Sequence, residues 1–146
     1  LARLLHLEFV DSDVEVESRT GVDIPFIFEK EGEAGFRKRE ARVIDDLSRK
    51  DGVVLATGGG AIMDVRNRNH LGGRGFVIYL HTSVDQQLSR TRKGRDRPLL
   101  ENDDPRAVLE SLMAVREPLY REIADLTVDT DGRKVRAVAN EILDRL

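Results

Sequence analysis

Eight residues, Val53-Val54-Leu55-Ala56-Thr57-Gly58-Gly59-Gly60, constrain what this chain can fold into more than any other stretch. The first four are apolar without alternation, the pattern of a strand buried on both faces of a parallel sheet. Three glycines follow at its carboxyl end, where ligands collect in open α/β sheets. Without side chains at that point, main-chain N–H groups can approach an anion closely. A glycine run by itself reads as a flexible turn. Behind a wholly apolar strand, a ligand site is the better reading.

The remaining strands support a parallel sheet. Leu7 to Val10, Phe76 to Leu80 and Leu126 to Val128 are short apolar runs, and helical patterns separate them. Such alternation is the βαβ pattern with right-handed crossovers. A chain of 146 residues is one domain's worth, and no linker, repeat or low-complexity segment divides it. The net charge of −3 argues against a general nucleic-acid binder. The absence of cysteine excludes disulfides and thiolate metal sites. No run is long and apolar enough for a membrane span and no signal peptide is visible, which fits a cytoplasmic protein. Leu1 to Leu7 carries no methionine and no cap residue, so it reads as the last turns of a helix already under way.

Several polar clusters are candidates for chemistry. Asp11-Ser12-Asp13 ends the first strand. Two carboxylates at that spacing can serve a hydrated Mg²⁺ and a substrate hydroxyl, or cap the helix that follows. After the turn Thr20–Pro25, a short helix carries Phe26, Ile27 and Phe28, and a second opens at Gly35 with an apolar stripe of Phe36, Val43, Ile44 and Leu47. Arg37 stands one residue off that stripe, and Glu40 is three residues on, within pairing reach. On a helix so charged, a solvated pair is the default reading. The helix after the glycines is expected from Asp64 to about Leu71, with a turn at Gly72-Gly73, and another helix from Val84 to Thr91. Five of the eight residues from 90 to 97 are basic in an acidic protein. That suits a lid over about 90–104 bringing guanidinium groups onto phosphate. Asp104-Pro105 starts a helix that Pro118 is expected to bend or break near Arg116. Val135, Val138, Ala139, Ile142 and Leu146 mark an amphipathic closing helix. His6, His70 and His81 share no spacing that suggests a site.

Six segments together resemble shikimate kinase, a small P-loop kinase of the nucleoside-monophosphate-kinase type. They are Phe9-Val10-Asp11-Ser12-Asp13, Arg19-Thr20-Gly21, Gly35-Phe36-Arg37 with Glu40, Leu55-Ala56-Thr57-Gly58-Gly59-Gly60, Arg97-Pro98-Leu99-Leu100 and Arg116-Glu117-Pro118-Leu119-Tyr120. Each is weak alone; in this order they are specific. The resemblance covers essentially the whole chain and implies a three-layer α/β fold in a single domain over residues 1–146. It implies ATP-dependent phosphorylation of the shikimate 3-hydroxyl, a step toward chorismate and the aromatic amino acids. It gives Asp11 a water-bridged Mg²⁺ and Asp13 the shikimate hydroxyls and the proton of the attacking one. Arg37 and Arg116 would grip the carboxylate, with Glu40 orienting them and Gly58, Gly59 and Gly60 shaping the substrate turn. Arg97 would close over the ATP phosphates, and Arg90 and Arg133 would lie near the adenine.

No G-x-x-x-x-G-K-[ST] motif occurs among these residues. In the family that loop and the strand before it come just upstream of the helix on which this chain opens, a piece of roughly 20 residues. The lost strand would be the middle one of the family's sheet. The expectation is therefore a shikimate kinase without its amino-terminal segment, monomeric when complete and inactive as these residues alone. A gluconate kinase or a non-catalytic acid-binding module are the alternatives.

Overall fold

In the computed structural model, which describes residues 1–93 and 104–146 (the side chains of 91–93 apart), chain contacts group into two compact units, Leu1–Phe76 and Val77–Leu146. The first opens with a single helical turn, α1 (Ala2–Leu5), and then β1 (Glu8–Asp11). β1 pairs in parallel with β2 (Val53–Ala56), in a register running from Glu8 opposite Val53 to Asp11 opposite Ala56. Parallel strands need a long crossover, here supplied by α2 (Ser12–Thr20) and α3 (Ile24–Leu47).

Local chemistry sets these boundaries. Asp11 caps α2, its Oδ1 accepting from the Asp13 and Val14 N–H groups at 2.9 and 3.3 Å. Gly21, at φ 74°, ends α2 in the left-handed region. Asp23 then caps α3 by accepting from the Phe26 N–H at 2.9 Å, with Pro25 in the first turn. Val16, Ile27, Phe36, Val43 and Leu47 form the core of this unit, with Val10 and Leu55 of the strands packed on it. The expected stripe of Phe36, Val43, Ile44 and Leu47 is buried throughout.

The two helices expected around Phe26–Phe28 and from Gly35 are α3, interrupted at one residue. Gly32 adopts φ 72° and ψ −179°, a conformation essentially confined to glycine. Arg39 reaches back across the kink with a two-pronged grip on Glu31, both contacts 2.8 Å. After β2 come a 3₁₀ turn, Gly59–Met63, and α4 (Val65–Arg74). The turn expected at Gly72-Gly73 is absent, and the helix continues to Arg74. The Arg74 guanidinium donates to the Asp45 carbonyl at 3.0 Å, the Asp45 carboxylate at 2.8 Å and Ser48 Oγ at 2.9 Å. That tertiary anchor outweighs the low helix propensity of two glycines.

The second unit pairs β3 (Ile78–His81) in parallel with β4 (Leu126–Asp129). Their crossover contains α5 (Val84–Lys93) and α6 (Pro105–Ile123), and α7 (Val135–Arg145) closes the chain. β3 starts later than expected, because Phe76 is exposed and Val77 instead bonds Asp125 through main-chain and carboxylate groups. Asp104 caps α6 as expected, accepting from the Ala107 N–H at 3.1 Å. Of the bend or break expected near Arg116, the break does not occur: α6 runs through Pro118 to Ile123. Ala114, whose carbonyl loses its partner there, is on the exposed face with Pro118, so water can satisfy it. On α7 the buried face is Val138, Ala139 and Ile142, while Val135 and Leu146 are exposed.

Each strand pairs with the one to which its own crossover returns. Among the described residues the expected single parallel sheet is thus two two-stranded parallel sheets, β1-β2 and β3-β4. No described helix is long and apolar enough to cross a membrane.

Two glycine substitutions should have opposite signs. Gly32 has open space around its missing Cβ, so Gly32→Ala tests backbone conformation alone and should cost about 1–3 kcal/mol. Gly73 also has open space and lies within α4, so Gly73→Ala should stabilise by about 0.5–1 kcal/mol. Urea midpoints of both variants against the parent measure the difference.

Candidate active site

Three elements of the first unit converge on one cluster: the β1–α2 junction, the middle of α3, and the turn after β2. α3 contributes Arg37 and Glu40. The Glu40 side chain is 1% exposed, and Arg37 Nη1 donates to its Oε1 at 3.0 Å. The expected solvated pair is therefore a buried carboxylate held by a guanidinium that is 27% exposed. Arg37 also lies 5.2 Å from the Phe36 ring and 3.5 Å from the Glu33 carboxylate. Glu40 Oε2 is buried without a hydrogen-bond partner among the described residues.

The glycine turn closes over this pair, and here the absence of side chains is required. A Cβ at Gly60 would stand 2.7 Å from Arg37 Cζ and 2.8 Å from its Nη1. A Cβ at Gly58 would lie 3.3 Å from both Asp13 carboxylate oxygens and 3.6 Å from Glu40 Oε2. Gly59 lies between them as the first residue of the 3₁₀ turn. Asp13 enters from the first turn of α2, with Oδ1 buried and unpartnered among the described residues. Asp11 stands beside it at the strand end, committing Oδ1 to the α2 cap.

The electrostatics follow from this crowding. Burial pushes the Asp13 carboxyl above the usual aspartate value, and the Asp11 charge pushes it further; Arg37 opposes both. Burial also raises Glu40, only partly offset by the Arg37 hydrogen bond and charge, with Asp13 and Asp64 adding to the rise. The site therefore holds two acids that resist ionisation around one guanidinium.

Other expected residues belong to the second unit. Arg116 lies on α6 with Nε buried and unpartnered among the described residues, and its guanidinium hydrogen-bonds Tyr120. Tyr120 stacks on Tyr79 at 4.8 Å, and burial foremost raises the Tyr79 hydroxyl to about 12. Arg90 is exposed on α5, where its charge helps lower Asp131. Arg133 is engaged in the β4–α7 turn, donating to the Asp129 carbonyl at 3.0 Å and pairing with Glu141 at 2.6 Å. Arg97, and the expected lid beyond Lys93 as far as Asp103, lie outside the described residues. His81, read as incidental, pairs with Asp129 at 2.7 Å across the ends of β3 and β4. Asn67 and Arg68, which escaped sequence reasoning, bond the carbonyls of the glycine turn. A polar residue on a short polar helix gives no signal of that role.

Comparison with known proteins gives the family of the whole chain. The shikimate kinase family model matches residues 1–146. The chain is 58% identical over 146 residues to a shikimate kinase of Shewanella oneidensis, covering all of this chain and 85% of that protein. It is 60% identical to one from Halorhodospira halophila, covering 82% of it. A solved shikimate kinase from Acinetobacter baumannii, in complex with shikimate, superposes with a TM-score of 0.94 at 49% identity, over 99% of this chain and 80% of that one. The chain belongs to the shikimate kinase family. Shikimate kinases are phosphotransferases, and their P-loop kinase fold is the α/β class expected. The gluconate kinase and acid-binding-module alternatives gain nothing from these matches. The expectation of an incomplete and inactive chain likewise receives no support from them.

The raised Glu40 carboxyl has a thermodynamic consequence. A carboxyl whose folded pKa exceeds its unfolded one binds protons better in the folded state. Stability then falls as pH rises from the unfolded value through the folded one. For Glu40 that fall begins near its ordinary value of 4.5. Glu40→Gln cannot ionise, so its melting temperature should gain on the parent's as pH rises above that value. Parallel melting curves from pH 4 to about 8 test this; a constant difference would mean that Glu40 does not titrate upward on folding.

Proposed function

We propose that this chain transfers the γ-phosphoryl group of ATP to the 3-hydroxyl of shikimate, using the Asp13–Arg37–Glu40 cluster as the acid site. The supporting observation is the Arg37 guanidinium, fixed by buried Glu40 and pressed against Gly60. Arg37 has five N–H donors, of which one serves Glu40 Oε1. Others remain for a substrate carboxylate in fork geometry. The family resemblance adds Arg116 as a second guanidinium for a substrate carboxylate.

Asp13 is the residue for the hydroxyl. Its raised pKa moves it toward the working pH, as a general base requires. As the 3-oxygen forms its bond to the γ-phosphorus, its proton passes to an Asp13 carboxylate oxygen. The bond from that phosphorus to the β,γ-bridging oxygen breaks, and ADP leaves with the electron pair. Burying Asp13 beneath Gly58 limits water's access to the same position. Glu40 keeps the guanidinium from rotating, and the glycine turn offers backbone rather than side chain to the sugar-like ring.

Mg²⁺ suits the donors present. No group of three or more acidic or histidine ligands gathers among the described residues. Mg²⁺ characteristically keeps its waters and takes one or two carboxylates plus substrate phosphates. Asp11 would hold it through water, and the ion would neutralise phosphate charge. Arg97 serves the phosphates in this reading, and Arg90 the adenine. Arg133 was assigned to the adenine as well, but its bonds to Asp129 and Glu141 support a role in holding the β4–α7 turn.

Two variants test the assignment. Arg37→Met should weaken shikimate binding about 10- to 100-fold, the scale of a lost charged hydrogen bond. Asp13→Asn should lower kcat by about 10²- to 10⁴-fold, the usual contribution of a general base. Shikimate affinity unchanged in the first, or turnover unchanged in the second, would remove that residue from the site.

A further inference from the structure

The glycine turn is gripped from behind by two side chains of α4. Asn67, 1% exposed, donates its side-chain N–H to the Ala61 carbonyl at 3.0 Å. Arg68 Nη1 donates to the Ile62 carbonyl at 2.9 Å and the Met63 carbonyl at 3.2 Å. Three consecutive carbonyls are thus tied to one turn of α4. The turn's own flanking bonds are longer, Ala61 N–H to Gly58 at 3.2 Å and Asp64 N–H to Ala61 at 3.4 Å. Yet Gly60 touches the Arg37 guanidinium so closely that even a methyl group has no room. A few tenths of an ångström at Gly60 would therefore be felt at Arg37.

The form of Asn67 is informative. Facing a carbonyl, its amide must present NH₂, which leaves Oδ1 on the other side. That oxygen is buried and has no hydrogen-bond partner among the described residues. An orphaned buried acceptor costs stability, so stability alone does not account for an amide at this position. Holding the Ala61 carbonyl in place does.

We infer that Asn67 and Arg68 are positioning residues for acid binding: by fixing the carbonyls of residues 61–63 they set Gly60 against Arg37 and so aim its guanidinium. The inference rests on the reading that Arg37 receives the shikimate carboxylate. It predicts a defect specific to the acid. In Asn67→Leu the amide is replaced by an apolar side chain of similar size, and the Ala61 carbonyl keeps only the longer bond from the Asp64 N–H, 3.4 Å. Arg68→Met removes both of its bonds from a partly exposed position.

Calorimetric titration with shikimate, beside thermal melting, separates positioning from mere folding. A purely structural loss lowers the melting temperature and the binding stoichiometry, because less protein is folded, and leaves the dissociation constant of the folded fraction unchanged. Positioning raises the dissociation constant itself. Asn67→Leu and Arg68→Met should each weaken shikimate about 5- to 10-fold, the net scale of one typical hydrogen bond, at full stoichiometry. If Asn67→Leu does not fold, Arg68→Met decides. Arg37→Met, measured alongside, keeps the two levels apart. If it binds shikimate poorly while both α4 variants bind within about twofold of the parent, the positioning role is overturned and the acid site stands. If Arg37→Met binds like the parent, the acid-site reading falls, and this inference with it.

Discussion

Glu40 is a carboxylate almost wholly removed from water, and one arginine is what makes that tolerable. An isolated buried charge is among the most unfavourable groups a fold can hold, and pairing recovers the loss only with good geometry. Here the pairing is partial: Oε1 has Arg37, and Oε2 has no partner among the described residues. The carboxyl resists ionisation accordingly. Breaking this pair would leave a buried charge or force a proton onto it, so Arg37 is immobilised as firmly as Glu40 is buried. A surface arginine spends rotamer entropy on any ligand it grips. This one has met that cost before a ligand arrives.

The surrounding elements are arranged to keep the pair where it is. The core face of α3, with Phe36, Val43, Ile44 and Leu47, locks the rotation of the helix and therefore the direction in which Arg37 and Glu40 point. The kink at Gly32 lets the helix before it take its own path, and the Glu31–Arg39 bridge spans the interruption. Parallel pairing of β1 and β2 puts Asp11 opposite Ala56, so the acidic strand end and the glycine turn start side by side. That register, more than any single contact, brings Asp13 under Gly58.

Much of this was legible, and the reasons differ by residue. β2 and its glycines were readable as strand and turn because an uninterrupted apolar run and a loss of side chains are both local signals, but the strand is half-buried where burial on both faces was expected. Asp11 as a cap and Asp104 as another were readable for the same reason. The Arg37–Glu40 spacing was visible, but its burial was not, because what covers the pair is a turn from elsewhere in the chain. The end of α4 was misplaced because Arg74 finds its partners on α3, and no local propensity reports a partner at that distance. Pro118 does not end α6, and the Ala114 carbonyl that it deprives of a partner is on the exposed face, where water can reach it. Arg133, placed near the adenine by the resemblance alone, is bonded to Asp129 and Glu141 in the fold. The family resemblance supplied a role for Arg116 that no local pattern contained.

The choice of guanidinium over ammonium follows, in the proposed acid site, from the charge count within the first unit. Asp13, Glu40 and the proposed carboxylate ligand bring up to three negative charges to Arg37, and the Asp13 charge already helps raise Glu40. A lysine could face one carboxylate well, and moving to the ligand would abandon Glu40. Arginine divides the work, with one nitrogen held by Glu40 and the remaining donors projecting in a fixed plane. The glycine at position 60 is the steric counterpart of that division, since any side chain would meet the Arg37 head group. The arrangement of this cluster is thus built less from added contacts than from a buried acid, a missing side chain and a cation held between them.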